Sequence, residues 1–185
     1  MTEARQRYNE GIKLADESNH EAARLKFSQA WMLLKSPAIL FNLARSEQLS
    51  GHLVEALEHF RLFVSLGADS KVTEQQREHA KEFVTELTGK VGQVEIDAAP
   101  NSQIAIDGKS VEWTPQAEPI AVMPGSHEVT ATLEGKTTRV TVDATAGAIV
   151  KAKLKPEAPP PPKATTVALR SARASTICSA SCSTV

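Results

Sequence analysis

Apolar positions in the first half of the chain recur every three to four residues, which is the period of an amphipathic helix. Helix start and stop signals divide this half into five predicted helices before residue 90. The capping-box pairs are Ser18 with Glu21 and Thr73 with Gln76, the third start is Ser36 with Pro37, and the closing glycines are Gly51, Gly67 and Gly89. The first half is therefore predicted to be all-helical.

After Gly89 the period changes to two, the pattern of strands with one buried face. At least five strands are predicted, carrying Val94 and Ile96, Ile104 and Ile106, Val129 and Leu133, Val140 and Val142, and Ala148 to Leu154. The turn pairs are Pro100-Asn101, Asp107-Gly108, Thr114-Pro115, Pro124-Gly125 and Glu134-Gly135. Short strands at this spacing predict a small antiparallel β-sandwich, with the stretch AVMPGSHEVTATLEGK as its central hairpin.

These patterns predict an α+β protein in two domains. We expect a helical repeat domain over residues 1–90, a β-sandwich over 91–155, and a proline-rich linker with a disordered tail over 156–185. The linker begins at KPEAPPPPK, whose prolines favour a semi-rigid extended spacer, and the residues after it are small, polar and low in complexity.

The helical half contains an internal repeat with a constant offset of 33 residues. The pairs are Gly11 with Ala44, Ala23 with Ala56, Phe27 with Phe60, and Ala30 with Phe63. In each unit a small residue on the first helix is matched by an alanine on the second, which lets the two helices approach closely. We expect Phe27 and Phe60 to fill the space beside each small pair.

The repeat resembles the tetratricopeptide repeat over about residues 4–88. The residues that carry the resemblance are Gly11, Leu14, Ala23, Phe27, Ala30, Leu43, Ala44, Ala56 and Phe60. The resemblance implies a scaffold that binds a peptide or protein in a concave groove. By alignment that groove presents Arg5, Asn9 and Ile12 from the first unit, and Asn42, Arg45 and Gln48 from the second.

Arg5, Asn9 and Asn42 resemble part of the carboxylate clamp by which some members of this family hold the C-terminus of a peptide. Arg5 and Asn9 are four residues apart and share one helix face, and Asn42 follows Asn9 by one repeat. Arginine would donate a charge-assisted bond to the carboxylate. The alternative is that Asn42 packs between helices and that Arg5 is a solvated charge.

The second half resembles the PEGA domain, a small β module of bacterial surface and envelope proteins, over about residues 91–155. The matching residues are Gly92, Val94, Pro100, Ile104, Asp107-Gly108, Thr114-Pro115, Pro124-Gly125, His127, Val129, Gly135 and Val140. The resemblance implies a bacterial cell-envelope or periplasmic setting. In this half Trp113 is an aromatic able to stack on a sugar, and its alternative is a plug at the end of the sandwich.

Charge and composition narrow the classes of partner. Lys plus Arg number 21 and Asp plus Glu 22, so the formal charge is −1 and gives no reason to expect nucleic acid as a partner. The charged N-terminus lacks the apolar run of a signal peptide, and no stretch has the length of a membrane span. Sequence alone thus indicates a cytoplasmic protein, whereas the family resemblance implies the envelope.

A search for catalytic chemistry finds little. His52, Glu55 and His59 share a helix face that could hold zinc, but the alternative is a solvated polar face. His127 is interpreted as a strand-entry residue, because no Cys or Ser nearby is placed as a nucleophile. We therefore expect a non-enzymatic protein without a cofactor or a bound metal.

The sequence favours a protein–protein interaction scaffold whose helical groove binds a peptide, with the β domain as a spacer or a surface-binding module. The alternative function is a carbohydrate- or peptidoglycan-binding envelope protein that acts through the β domain and Trp113. A homodimer through the open edge of the helical stack is a further partner that two repeats allow.

Overall fold

The computed structural model describes residues 2–66, 72–112, 114 and 118–154, and these belong to one compact unit. Within these described residues, five helices are followed by seven strands, in the order that the change of period predicted. The helices are α1 (Thr2–Asp16), α2 (His20–Leu33), α3 (Pro37–Leu49), α4 (Leu53–Ser65) and α5 (Glu74–Thr88). The strands are β1 (Gly92–Asp97), β2 (Gln103–Ile106), β3 (Lys109–Val111), β4 (Ile120–Val122), β5 (Gly125–Leu133), β6 (Lys136–Ala144) and β7 (Ile149–Lys153).

Each helix packs mainly against the next helix along the chain. The small residue predicted at position 11 has a packing reason, since a Cβ on Gly11 would lie 2.7 Å from the ring of Phe27. In the second half of the stack the rings of Phe60 and Phe83 are 4.9 Å apart between centroids. Phe27 and Phe60 are fully buried, as the repeat predicted.

The start of α2 differs from the prediction. Asn19, not Ser18, is the N-cap, and its side chain accepts from the amide of Ala22. Ser18 instead lies just after the end of α1, with a positive φ of 61°. The amide of Ser18 donates to the carbonyl of Ala15, and the amide of Asn19 donates to the carbonyl of Leu14. These two bonds form a Schellman motif at the end of α1, where a capping box was expected.

The other helix boundaries agree with their signals where the structure describes them. Ser36 precedes the first-turn Pro37 of α3, although its side chain makes no capping bond. Gly51 follows the end of α3 with a φ of 88°, and Thr73 with Gln76 forms a full capping box at the start of α5. Gly67 lies outside the described residues.

The strands form two sheets. One has three strands in the order β4-β1-β7, and the other has four in the order β3-β2-β5-β6. Buried residues of both sheets form one hydrophobic cluster that includes Val94, Ile104, Val129 and Ala152. The four-stranded sheet is antiparallel as predicted, but β1 and β7 are parallel, with Val94 opposite Val150. The expectation of a wholly antiparallel β region was therefore wrong.

The stretch from 121 to 136 is not a single hairpin. Strand β4 belongs to the three-stranded sheet and β5 to the four-stranded sheet, so Pro124-Gly125 carries the chain from one sheet to the other. The hairpin joins β5 to β6 through Glu134 and Gly135, whose φ angles of 50° and 77° suit a type I′ turn. Alternation cannot distinguish a turn within a sheet from a crossover between sheets.

The helical and β regions meet at a short junction. Val91 and Ala121 pack into the hydrophobic cluster of α3, α4 and α5. Gly147 donates its amide to the carbonyl of Val91 at 2.8 Å. Within the described residues, no helix combines the length and apolarity needed to cross a bilayer.

Candidate functional site

A cavity of about 370 Å³ opens on the face formed by α1, α3 and α5, and we call it the aromatic cavity. Its lining residues are Tyr8, Ser36, Pro37, Ala38, Phe41, Asn42, Phe63, Val72 and Gln76. The ring centroids of Phe41 and Phe63 lie 5.2 Å apart. These two rings form the floor of the cavity and pack in the core of the helical region. None of the described lining residues carries a charge.

Asn42 is the central polar residue of the aromatic cavity. Its Nδ2 donates to the hydroxyl of Tyr8 at 3.1 Å and to the carbonyl of Ala38 at 2.8 Å. The first bond joins α3 to α1, and the second lies within α3. Its Oδ1 has no partner among the described residues.

Two donors beside Asn42 also have unused capacity. The Tyr8 hydroxyl accepts from Asn42, and its own hydrogen has no acceptor among the described residues. Gln76 uses its Oε1 in the capping box, and its Nε2 has no described partner. These two donors and the Asn42 acceptor lie beside an apolar floor, together with the hydroxyl of Ser36, and such groups can bind the amides of a peptide.

A second cavity of about 370 Å³, the aliphatic cavity, lies beside the first. Its lining residues are Thr2, Ala4, Arg5, Tyr8, Leu34, Ser36, Ala38 and Ile39. Tyr8, Ser36 and Ala38 also line the aromatic cavity, so these three residues form a ridge between the two. Arg5 is the one charged residue among the described residues that line the aliphatic cavity.

The six groove residues predicted from the alignment do not share one cavity. Arg5 lines the aliphatic cavity, and with Asn9 it also lines a shallow recess along α1. Ile12 packs against the buried cluster of Ala23, Phe27 and Leu43. Asn42 alone of the six lines the aromatic cavity.

Arg45 and Gln48 lie further along α3 and contact α5. Arg45 donates to the Oε1 of Gln48 at 2.7 Å, and its guanidinium lies 4.8 Å from the ring centroid of Phe83. Gln48 in turn donates to Glu86 at 3.3 Å. Both side chains therefore tie α3 to α5.

The histidines proposed for zinc bind two separate carboxylates. His52 contacts Glu21 of α2 at 3.1 Å, and His59 contacts the buried Glu47 of α3 at 2.7 Å. A bidentate bond from Arg24 lowers the pKa of Glu21 to about 2. In the described part of the chain, no group of three or more His, Cys, Asp or Glu side chains is arranged to hold a metal ion.

His127 has a more specific role than strand entry. Its Nδ1 faces Asp107 Oδ2 at 2.7 Å, and its Nε2 faces the carbonyl of Met123 at 2.6 Å. The bond to Asp107, and then that to Met123, raises the pKa of His127. The ring thus links the β2–β3 turn to the crossover before β5.

The alignment missed most of the cavity-lining residues, although a signal for two of them was present. Tyr8 and Phe41 are separated by the same 33 residues as the small pairs, and both line the aromatic cavity. The sequence marks Gln76 only as a capping residue. Trp113, the predicted sugar contact, lies outside the described residues.

The chain was compared with protein families, curated proteins and solved structures. No protein-family model, no curated protein and no solved structure matches the chain. A site on the face of α1, α3 and α5 is therefore inferred from the residues of this chain alone.

Proposed function

We propose that this chain is a non-enzymatic scaffold that binds a peptide segment of a partner protein on the face of α1, α3 and α5. The single observation that carries the proposal is the aromatic cavity, with unused donors and an acceptor beside an apolar floor. Its volume of about 370 Å³ lies near the lower end for ligand pockets, which suits one or two side chains of a larger partner.

The chemistry of the aromatic cavity favours a peptide. An apolar side chain would gain by leaving water for a floor of phenylalanine rings. The adjoining backbone amides need partners when they are desolvated, and Tyr8, Asn42 and Gln76 can supply them. No titrating nucleophile or base is required for such a role.

At the level of fold, the proposal treats the helices as tetratricopeptide-like repeats and the strands as a PEGA-like sandwich. The constant offset of 33 residues supports the first assignment, together with sequential helix packing. The shared hydrophobic cluster of the two sheets supports the second. The β region then acts as a spacer or as a second contact surface.

A substitution on the ridge tests the function. Ala38 is exposed and lines both cavities, so Ala38→Phe would place a ring across the binding face with little cost to the fold. A phage library of random ten-residue peptides is panned on the full wild-type chain. We expect the selected peptides to bind Ala38→Phe at least tenfold more weakly than they bind the wild type. Affinity is measured by fluorescence anisotropy.

Gln29→Phe is the matched control, because Gln29 is an exposed residue of α2 that lines neither cavity. It adds the same ring to the surface and should leave peptide affinity within about twofold. Peptides that bind the wild type and both variants equally would contradict the proposed site.

A further inference from the structure

The two cavities offer different environments on either side of the ridge of Tyr8, Ser36 and Ala38. The aromatic cavity has neutral polar groups among the described residues that line it. The aliphatic cavity is lined by the apolar side chains of Ala4, Leu34 and Ile39. Arg5 is the charged residue among the described residues of its lining. A ligand that crosses the ridge would meet an aliphatic pocket with a cation on one side and an aromatic pocket on the other.

We propose that the bound segment is an extended, acidic peptide with two apolar anchors, one aliphatic side chain in the aliphatic cavity and a second apolar side chain in the aromatic cavity. An aspartate or glutamate two residues from the aliphatic anchor, on the side away from the second anchor, pairs with Arg5. This inference rests on the proposed function and specifies the ligand of the same face.

The acidic character follows from the state of Arg5. Its neighbour Arg7 contacts Glu3 and Glu10, whereas Arg5 pairs with no carboxylate among the described residues. The first turn of α3 borders the same cavity, and the side chain of Ser36 makes no capping bond there. Arg5 and the positive end of α3 both favour a negatively charged ligand group.

The extended conformation follows from the unused hydrogen-bonding groups at the ridge. A helical ligand satisfies its own backbone amides and would have few backbone groups to pair with Asn42 Oδ1 and the Tyr8 hydroxyl hydrogen. An extended chain presents free N–H and C=O groups to them. Alternate side chains of an extended chain point the same way, so the two anchors are expected two residues apart, roughly 7 Å.

Peptides enriched on the wild-type chain provide the probe. We expect their sequences to share two apolar residues with one residue between them, and an acidic residue two positions beyond one of these anchors. Arg5→Glu reverses the charge of the aliphatic cavity, and Leu34→Glu places a carboxylate on its wall. Both residues are exposed in the free protein, and unchanged melting temperatures would show that the fold is retained.

For the peptide with the highest affinity, each variant should raise Kd at least tenfold. Lys13→Glu is the matched control, since Lys13 is exposed on α1 and lines neither cavity. It should change Kd less than twofold. Replacing the acidic residue of the peptide by lysine should restore binding to Arg5→Glu and weaken binding to the wild type.

The outcomes separate this inference from the function on which it rests. If Ala38→Phe abolishes binding while Arg5→Glu and Leu34→Glu leave Kd unchanged, the peptide uses the aromatic cavity alone and the two-anchor inference is wrong. If the library yields no peptide that depends on Ala38, the proposed function fails as well.

Discussion

At the scale of single residues, His127 shows how one side chain can join two turns of the β region. Both ring nitrogens face acceptors, the carboxylate of Asp107 and the carbonyl of Met123. Asp107 also accepts from the amide of Glu128 at 2.9 Å and adopts a positive φ of 50° in its turn. The doubly protonated imidazolium is therefore the form that fits this site.

The sign of the pH dependence follows from the two pKa shifts. The pKa of His127 is raised, so its stabilisation is complete below about pH 6.5 and is lost as the pH rises through the folded pKa. The bond from His127, and then that from the Glu128 amide, lowers the pKa of Asp107. The contribution of Asp107 is therefore present above about pH 4 and is lost in acid.

We predict that His127→Gln is destabilised relative to the wild type by about 1 kcal/mol at pH 5.5, and by clearly less at pH 8.5. Urea unfolding of both proteins at both pH values measures the difference. Because both proteins are measured under identical conditions, the difference between them reports on position 127. A difference that is the same at pH 5.5 and 8.5 would show that the charge of His127 does not matter.

At the scale of elements, the two sheets approach closely where Gly92 of β1 meets the end of β6. A Cβ on Gly92 would lie 2.7 Å from the Cβ of Ala144. Real Cβ atoms do not approach this closely, so the contact requires one residue of the pair to be glycine. The spacing of the sheets at this point is set by that pair.

We predict that Gly92→Ala lowers the free energy of unfolding by about 1–3 kcal/mol through overpacking. The double variant Gly92→Ala with Ala144→Gly moves the methyl group to the other sheet and should recover much of that loss. Urea unfolding of the four proteins gives the coupling energy. Additive effects of the two substitutions would mean that the two positions do not contact each other.

Local signals predicted the elements well, because caps and periodicity are properties of neighbouring residues. Thr73 with Gln76, Gly51 and the alternation after Gly89 all marked features that the structure contains. The prediction for Ser18 was wrong because serine is a preferred N-cap residue, whereas the positive-φ position of a Schellman motif is usually glycine. Local signals could not predict the parallel pairing of β1 with β7, because it joins residues more than 50 positions apart.

At the scale of the whole molecule, the candidate site arises where three helices distant in sequence meet. The bond between Asn42 and Tyr8 joins α3 to α1, and Arg45 lies over Phe83 of α5. The repeat predicted which helices would share a face, but cavity shape depends on side-chain packing between them. For this reason Asn42 was found in the sequence, whereas Gln76 and the aliphatic cavity beside Arg5 were not.

The junction between the two regions bears on where a partner could bind. Val91 and Ala121 pack into the helical cluster, and the carbonyl of Val91 accepts from Gly147. The face of α1, α3 and α5 is lined by residues up to Gln76 among those described, so it involves no described strand. A ligand on that face would leave the β region available for another contact.

The most direct test of the account is to map amide chemical shifts of the ¹⁵N-labelled full chain while adding the enriched peptide of highest affinity. We predict that the largest changes fall on Tyr8, Ser36, Ala38, Asn42 and Gln76, with small changes in β1 to β7. Changes concentrated in the strands, with the ridge unaffected, would contradict the proposed site and assign peptide binding to the β region.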